Sequence, residues 1–178
     1  STNLVTYSED FTNAAWVKGT STITSNQILA PDGTLTADLI SSSGGSAFER
    51  ITQSLASSGN VTFSLFVKQN TSNLISLYLT GTGIGVELSS QIIYDFNFTT
   101  ESLVKNAGSA STADSTKVEV YPNGWYRISI SVSSTTITDA RIYSSWNVTN
   151  TLSSYIWGAQ LEQQSYATSY IPTSGATA

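Results

Sequence analysis

The chain has 178 residues, with seven basic and twelve acidic side chains, a net charge of −5, and no Cys, His or Met. That composition excludes disulfide frameworks, thiol nucleophiles, Cys/His zinc sites and every histidine-based acid or base. Seven scattered cations cannot form the basic stripe that a nucleic-acid binder uses, so nucleic acid is not an expected partner.

Ser and Thr fill roughly a third of the chain and take over the solubilising work that charge usually does. Hydrophobic residues at 39% and aromatics at 11% are too abundant for a disordered chain. Thr, Val, Ile and aromatics suit a pleated surface, so the expectation is one all-β domain, an antiparallel β-sandwich, over residues 1–178. No apolar run approaches the ~20 residues of a membrane span, and no signal-peptide core opens the chain. Ser at position 1 instead of Met is what a processed or excised piece would carry.

In chain order, short strands are expected over Asn3–Tyr7, Trp16–Thr24 and Thr36–Ile40, with a helical turn or two around Phe11–Trp16. Pro31-Asp-Gly33 supplies the fixed and the positive φ of a turn. A strand over Phe48–Leu55 ends at a loop, Ser58-Gly-Asn60. The alternation is cleanest in Val61-Thr-Phe-Ser-Leu-Phe-Val-Lys68. Val61, Phe63, Leu65 and Val67 share one face there, and Thr62, Ser64, Phe66 and Lys68 the other. Asn73–Thr80 follows, then Gly81-Thr-Gly-Ile-Gly85. This lacks the Lys-Ser/Thr and helix of a phosphate loop and reads as a hairpin turn. Strands continue over Gln91–Phe98, Lys117–Tyr121, Trp125–Val132, Ala140–Trp146 and Ser154–Glu162. A long loop separates them at Lys105–Ser115, and a turn at Pro122-Asn-Gly124.

Catalytic patterns are missing. No strand carries the Glu-x-Asp-x-x-Glu of sandwich-fold glucanases, and with no His the chain lacks the imidazole base that activates a serine nucleophile. The expectation is a non-catalytic chain. Four Asn-x-Ser/Thr matches are what chance gives in so hydroxyl-rich a sequence.

Aromatics carry the functional reading. Sugar rings present apolar C–H faces that stack on Trp and Tyr, and hydroxyls that polar side chains satisfy. Trp16, Trp125 and Trp157 neighbour apolar strand or turn residues and are expected in the core. Trp146, in Tyr143-Ser-Ser-Trp-Asn-Val148, has polar neighbours and is the candidate exposed ring. Phe66, Lys68, Arg127 and Tyr78 lie on the polar rows of their strands. If those strands are neighbours in one sheet, they form an aromatic and cationic platform. The alternatives are that Phe66 and Tyr78 tuck under a loop, and that Arg127 pairs with Asp95 or Glu87. On the platform reading Trp146, Tyr78 and Phe66 stack on sugars while Arg127 and Lys68 hydrogen-bond to them.

Several stretches together resemble modules of bacteriophage tail and tail-fibre proteins. They are Asn3-Leu-Val-Thr-Tyr-Ser-Glu-Asp-Phe11, Ala30-Pro-Asp-Gly-Thr34, Phe63-Ser-Leu-Phe-Val-Lys68, Asn123-Gly-Trp-Tyr-Arg127, Tyr155-Ile-Trp-Gly-Ala-Gln-Leu-Glu162 and Ala167-Thr-Ser-Tyr-Ile-Pro-Thr173. Such modules are similar to jelly-roll carbohydrate-binding modules. The resemblance implies a jelly roll, a polysaccharide or cell-surface glycan as partner, other virion subunits as neighbours, and a virion-surface or extracellular location. It also implies a structural calcium, with Glu9 and Gln160 at the matching positions, although those modules commonly carry an acidic residue where this chain has Gln160. The rival expectation is a decoration or oligomerisation domain of a tail protein that binds no glycan.

Overall fold

The computed structural model describes all 178 residues, from Ser1 to Ala178. It has ten strands: β1 (Val17–Gly19), β2 (Thr22–Ile28), β3 (Ala37–Ser41), β4 (Phe48–Gln69), β5 (Leu74–Ile84), β6 (Ser89–Asn97), β7 (Ser102–Lys105), β8 (Ser115–Val120), β9 (Trp125–Trp146) and β10 (Ser153–Glu162). All pair antiparallel, in the order β2-β3-β10-β4-β9-β5-β6-β7, with β1 on β4 and β8 on β9.

Two 22-residue strands, β4 and β9, organise the sandwich. They pair along their length, with register breaks where Ser54, Ser57 and Gly59 face Asp139, Ile137 and Ser134. Small and bulged residues let a strand turn a corner there and pass from one layer to the other. Before that corner Phe48–Ser54 of β4 carries β1, and Ile137–Tyr143 of β9 carries β5 and, through it, β6 and β7. Beyond it, Thr62–Gln69 of β4 carries β10, β3 and β2, and Tyr126–Ser131 of β9 carries β8. The all-β sandwich expected from composition is the observed fold.

Alternation decides what lies between the layers. Ile51, Leu77, Ile92 and Ile142 from one layer meet Phe63, Leu65, Ile128, Ile130 and Ile156 from the other in a core of 27 buried residues. Each such side chain contributes about 1.5–3 kcal/mol by leaving water. Val5, Phe11 and Trp16 of the N-terminal segment close one end of this core.

Several local expectations are corrected. Asn3–Tyr7 is no strand; Leu4 N–H donates to Leu161 O, and Asn3 and Ala178 exchange backbone bonds. Phe11–Ala15 forms turns without a helix, held by Asx contacts such as Ala15 N–H to Asn13 Oδ1. Trp16 precedes β1, and the Trp16–Thr24 stretch divides into β1 and β2 around Thr20 at φ 69°. Ser58-Gly-Asn60 is the corner inside β4, and Gly81–Ile84 is still strand, with the turn following at Gly85–Leu88. Gly81 is needed because a Cβ there would sit 2.0 Å from Thr136 O, where β9 rounds its corner. Strand β7 was not anticipated.

Candidate functional site

Two outward faces have opposite fates. On the layer of β4's second half, Phe66, Trp125 and Trp157 form a second apolar cluster with Ala30 and Ala37, against which Tyr121, Tyr155 and Tyr170 pack. The C-terminal segment lies over it: Arg127 Nη1 donates to Thr168 O at 2.6 Å and Thr62 Oγ1 to Gln164 O at 2.9 Å. Phe66 is therefore only 3% exposed and Arg127 4%, and neither can meet a ligand. Arg127 pairs with neither Asp95 nor Glu87; its second donor, Nη2, reaches Ser64 Oγ, and its guanidinium lies 5.3 Å from the Phe66 ring centre. Lys68 lies on this same covered layer, opposite Trp125 and Tyr155. The single platform expected from Phe66, Lys68, Arg127, Tyr78 and Trp146 is thus divided between two layers. Of the expected core tryptophans, Trp16, Trp125 and Trp157 are all buried.

The other layer keeps an open aromatic group. The cross-strand rows are Arg50–Tyr143–Ser76 and Thr52–Arg141–Tyr78. Simple alternation would send Tyr143 and Trp146 to opposite faces. However, Glu49 pairs with Ser145 while Arg50 pairs with Tyr143, which leaves Ser144 as an inserted bulge residue. Its Oγ is held inside by Ser21 Oγ and Glu49 O. The bulge returns Trp146 to the outer face, 4.9 Å from Tyr143 and 6.2 Å from Tyr78 between ring centres. Phe48 stands edge-on to Trp146 at 4.9 Å and is 42% exposed. Tyr143 is the floor, only 4% exposed, with Tyr78 and Trp146 partly exposed above it.

Cations and hydroxyls surround these rings. Arg141 is clamped by Asp139, Nε to Oδ1 at 2.9 Å, and lies 4.8 Å over the Tyr78 ring. Arg50 lies 5.7 Å over Tyr143. Burial and the neighbouring Tyr143 push the Tyr78 hydroxyl up against the opposing pull of Arg141, so it stays protonated at neutral pH. Beside Tyr143 and Trp146 opens a cleft of about 310 Å³, with Ser72, Leu74, Ser76 and Leu152 among its lining residues. Partly exposed rings flanked by donors and a half-apolar cleft can take a ring that is apolar on its face and polar at its rim. Tyr143 and Arg141 were not anticipated, because a bulge leaves no mark on local alternation.

The two side chains expected as calcium donors, Glu9 and Gln160, each have a partner within the protein. Gln160 is fully buried, and its Oε1 accepts Ile171 N–H at 2.7 Å. Glu9 Oε2 accepts the Tyr170 hydroxyl at 2.8 Å. Glu9 also borders a polar recess with Asp10 and Asp38. Asp38 is buried and accepts Phe11 N–H and Asn26 N–H.

No protein-family model and no curated protein matches the chain. Among solved structures it is similar to the enzymatically active domain of tailspike protein 4 from bacteriophage CBA120. The TM-score is 0.40 at 15% identity, over 89% of this chain and 21% of that one. It is also similar to the adhesin domain of Epf from Streptococcus pyogenes, at TM-score 0.31 and 13% identity, over 70% of this chain and 43% of that one. The chain thus spans about a fifth of the first of these chains and less than half of the second. The expectation of a non-catalytic chain is corrected on this finding, since the tailspike neighbour is an enzymatically active domain.

Proposed function

We propose that this chain is a carbohydrate-binding module for a polysaccharide or cell-surface glycan, displayed on a virion or another extracellular surface. The observation that carries the reading is the bulge at Ser144, which gathers Tyr143 and Trp146 with Tyr78 on an uncovered face beside a cleft. Trp146 and Tyr78 stack on sugar rings, Tyr143 supports them, and Arg141, fixed by Asp139, hydrogen-bonds hydroxyls at the rim. Affinity per site is modest for so small a contact, and repeated display supplies avidity. The virion setting rests on the strand motifs that resemble tail-fibre modules.

A glycan array with bacterial and algal polysaccharides tests this. The native chain is retained on at least one polymer and Trp146→Ala is not, while both melt cooperatively. Retention of neither, with native folding intact, would overturn the reading and favour a decoration domain.

A further inference from the structure

The chain has three arginines, and two have their charge engaged. Arg141 is ion-paired with Asp139, and Arg127 donates to Thr168 O and Ser64 Oγ. Arg50 is different. It takes part in neither ion pair of the structure, and none of its guanidinium nitrogens has a hydrogen-bond acceptor, whereas Arg127 shares only the unpaired Nε. The Arg50 Nε is closed off, but the two Nη groups are not, and they are the unpaired donors that a ligand can reach.

Its position says which kind. Arg50 stands on the outer face between Gly19 of β1, which has no side chain, and Tyr143 of β9. The guanidinium carbon lies 3.7 Å from where a Gly19 Cβ would be, and 5.7 Å from the Tyr143 ring centre. A tyrosine face on one side and a bare backbone on the other fix the plane of the fork beside the sugar platform. The acidic groups of this face are already engaged: Asp139 by Arg141, and Asp95 by Ser76 Oγ and Asn106 Nδ2. Arg50 is the cation of the face with no anion.

We propose that Arg50 is the anion-reading residue of this site and that the glycan is acidic, its sugar carboxylate accepting the guanidinium hydrogens while the ring stacks on Trp146 and Tyr78. A planar two-oxygen group matches the fork better than a lone hydroxyl does. This inference rests on the carbohydrate-binding reading above.

Affinity electrophoresis of the native chain through polygalacturonate and hyaluronan, and through the same polymers after carboxyl reduction, tests it without a mutation. The acidic forms are expected to bind about tenfold tighter. Arg50→Gln should bind both forms at the weaker level, with Arg50→Lys intermediate. Equal retention of acidic and reduced polymers, or retention of neutral polymers only, would overturn the acidic-glycan proposal and leave carbohydrate binding standing. No retention of any polymer would overturn both.

Discussion

Tyr143 and Trp146 stand three residues apart on one strand, yet their rings meet on the same face with centres 4.9 Å apart. Ser144, inserted as a bulge and tied to Ser21 and Glu49, makes the two faces coincide. One extra residue thus sets which side of the sandwich is aromatic and open.

The two candidate rings Phe66 and Trp146 should separate cleanly by stability. Phe66 packs edge-on to Trp157 at 5.4 Å and Tyr121 at 5.0 Å inside a covered cluster. Phe66→Ala should cost about 3–5 kcal/mol in chemical denaturation. Trp146→Ala, at a partly exposed position, should cost less than about 2 kcal/mol. A larger loss for Trp146 than for Phe66 would place Trp146 in the core.

Gly81→Ala tests the corner where the layers join. Its Cβ would meet Thr136 O at 2.0 Å, a backbone atom with no rotamer to yield. A loss of about 3 kcal/mol or more is expected, beyond ordinary overpacking. An unchanged denaturation midpoint would mean that β5 and β9 do not approach so closely.

Asp38 should titrate at about 6. Burial raises it above the backbone donors Asn26 and Phe11 that pull it down, and Asp10 and Glu9 raise it further. The folded chain therefore holds this proton more tightly than the unfolded chain, whose group titrates near 3.8. Stability from this group is full below that value and is lost as pH rises through about 6. Carboxyl-carbon NMR should find the midpoint, and Asp10→Asn should lower it. A native midpoint near 3.8 would contradict the account.

Glu87 behaves in the opposite sense. Hydrogen bonds from the Thr112 hydroxyl and amide and from Ser111 hold it down at about 2, outweighing the small upward push of burial. It therefore stabilises the fold above its ordinary range near 4.5 and loses that contribution as pH falls toward 2. These bonds fix the loop whose Gly108 lies against Trp146. Glu87→Gln should reduce the exchange protection of Thr112 N–H at neutral pH, and the native chain should lose the same protection only as pH falls to about 2. Exchange indifferent to both changes would remove Glu87 from that role.

The strands were legible wherever two chemistries alternate, as in Val61–Lys68, because period-2 patterning is local. Corners were not. Ser58-Gly-Asn60 and Gly81–Gly85 carry the residues of a hairpin, and only the partner strand distinguishes a bend from a reversal. The site was half legible for a related reason. Trp146 and Tyr78 were found from their polar neighbours, but Phe66 and Arg127 share that signature. They are buried because Thr168 and Tyr170, about forty or more residues away in sequence, fold back over them. The contact between Gln160 and Ile171 is likewise one that spacing does not reveal.

The most direct test is amide and side-chain NMR of the labelled chain, titrated with oligosaccharides cut from whichever polysaccharide retards it most. The account expects shifts confined to Phe48, Arg50, Tyr78, Arg141 and Tyr143 and to the Trp146 indole N–H. Shifts centred on the Glu9–Asp38 recess or on the covered cluster of Phe66 and Trp157, or no retarding polymer at all, would contradict it.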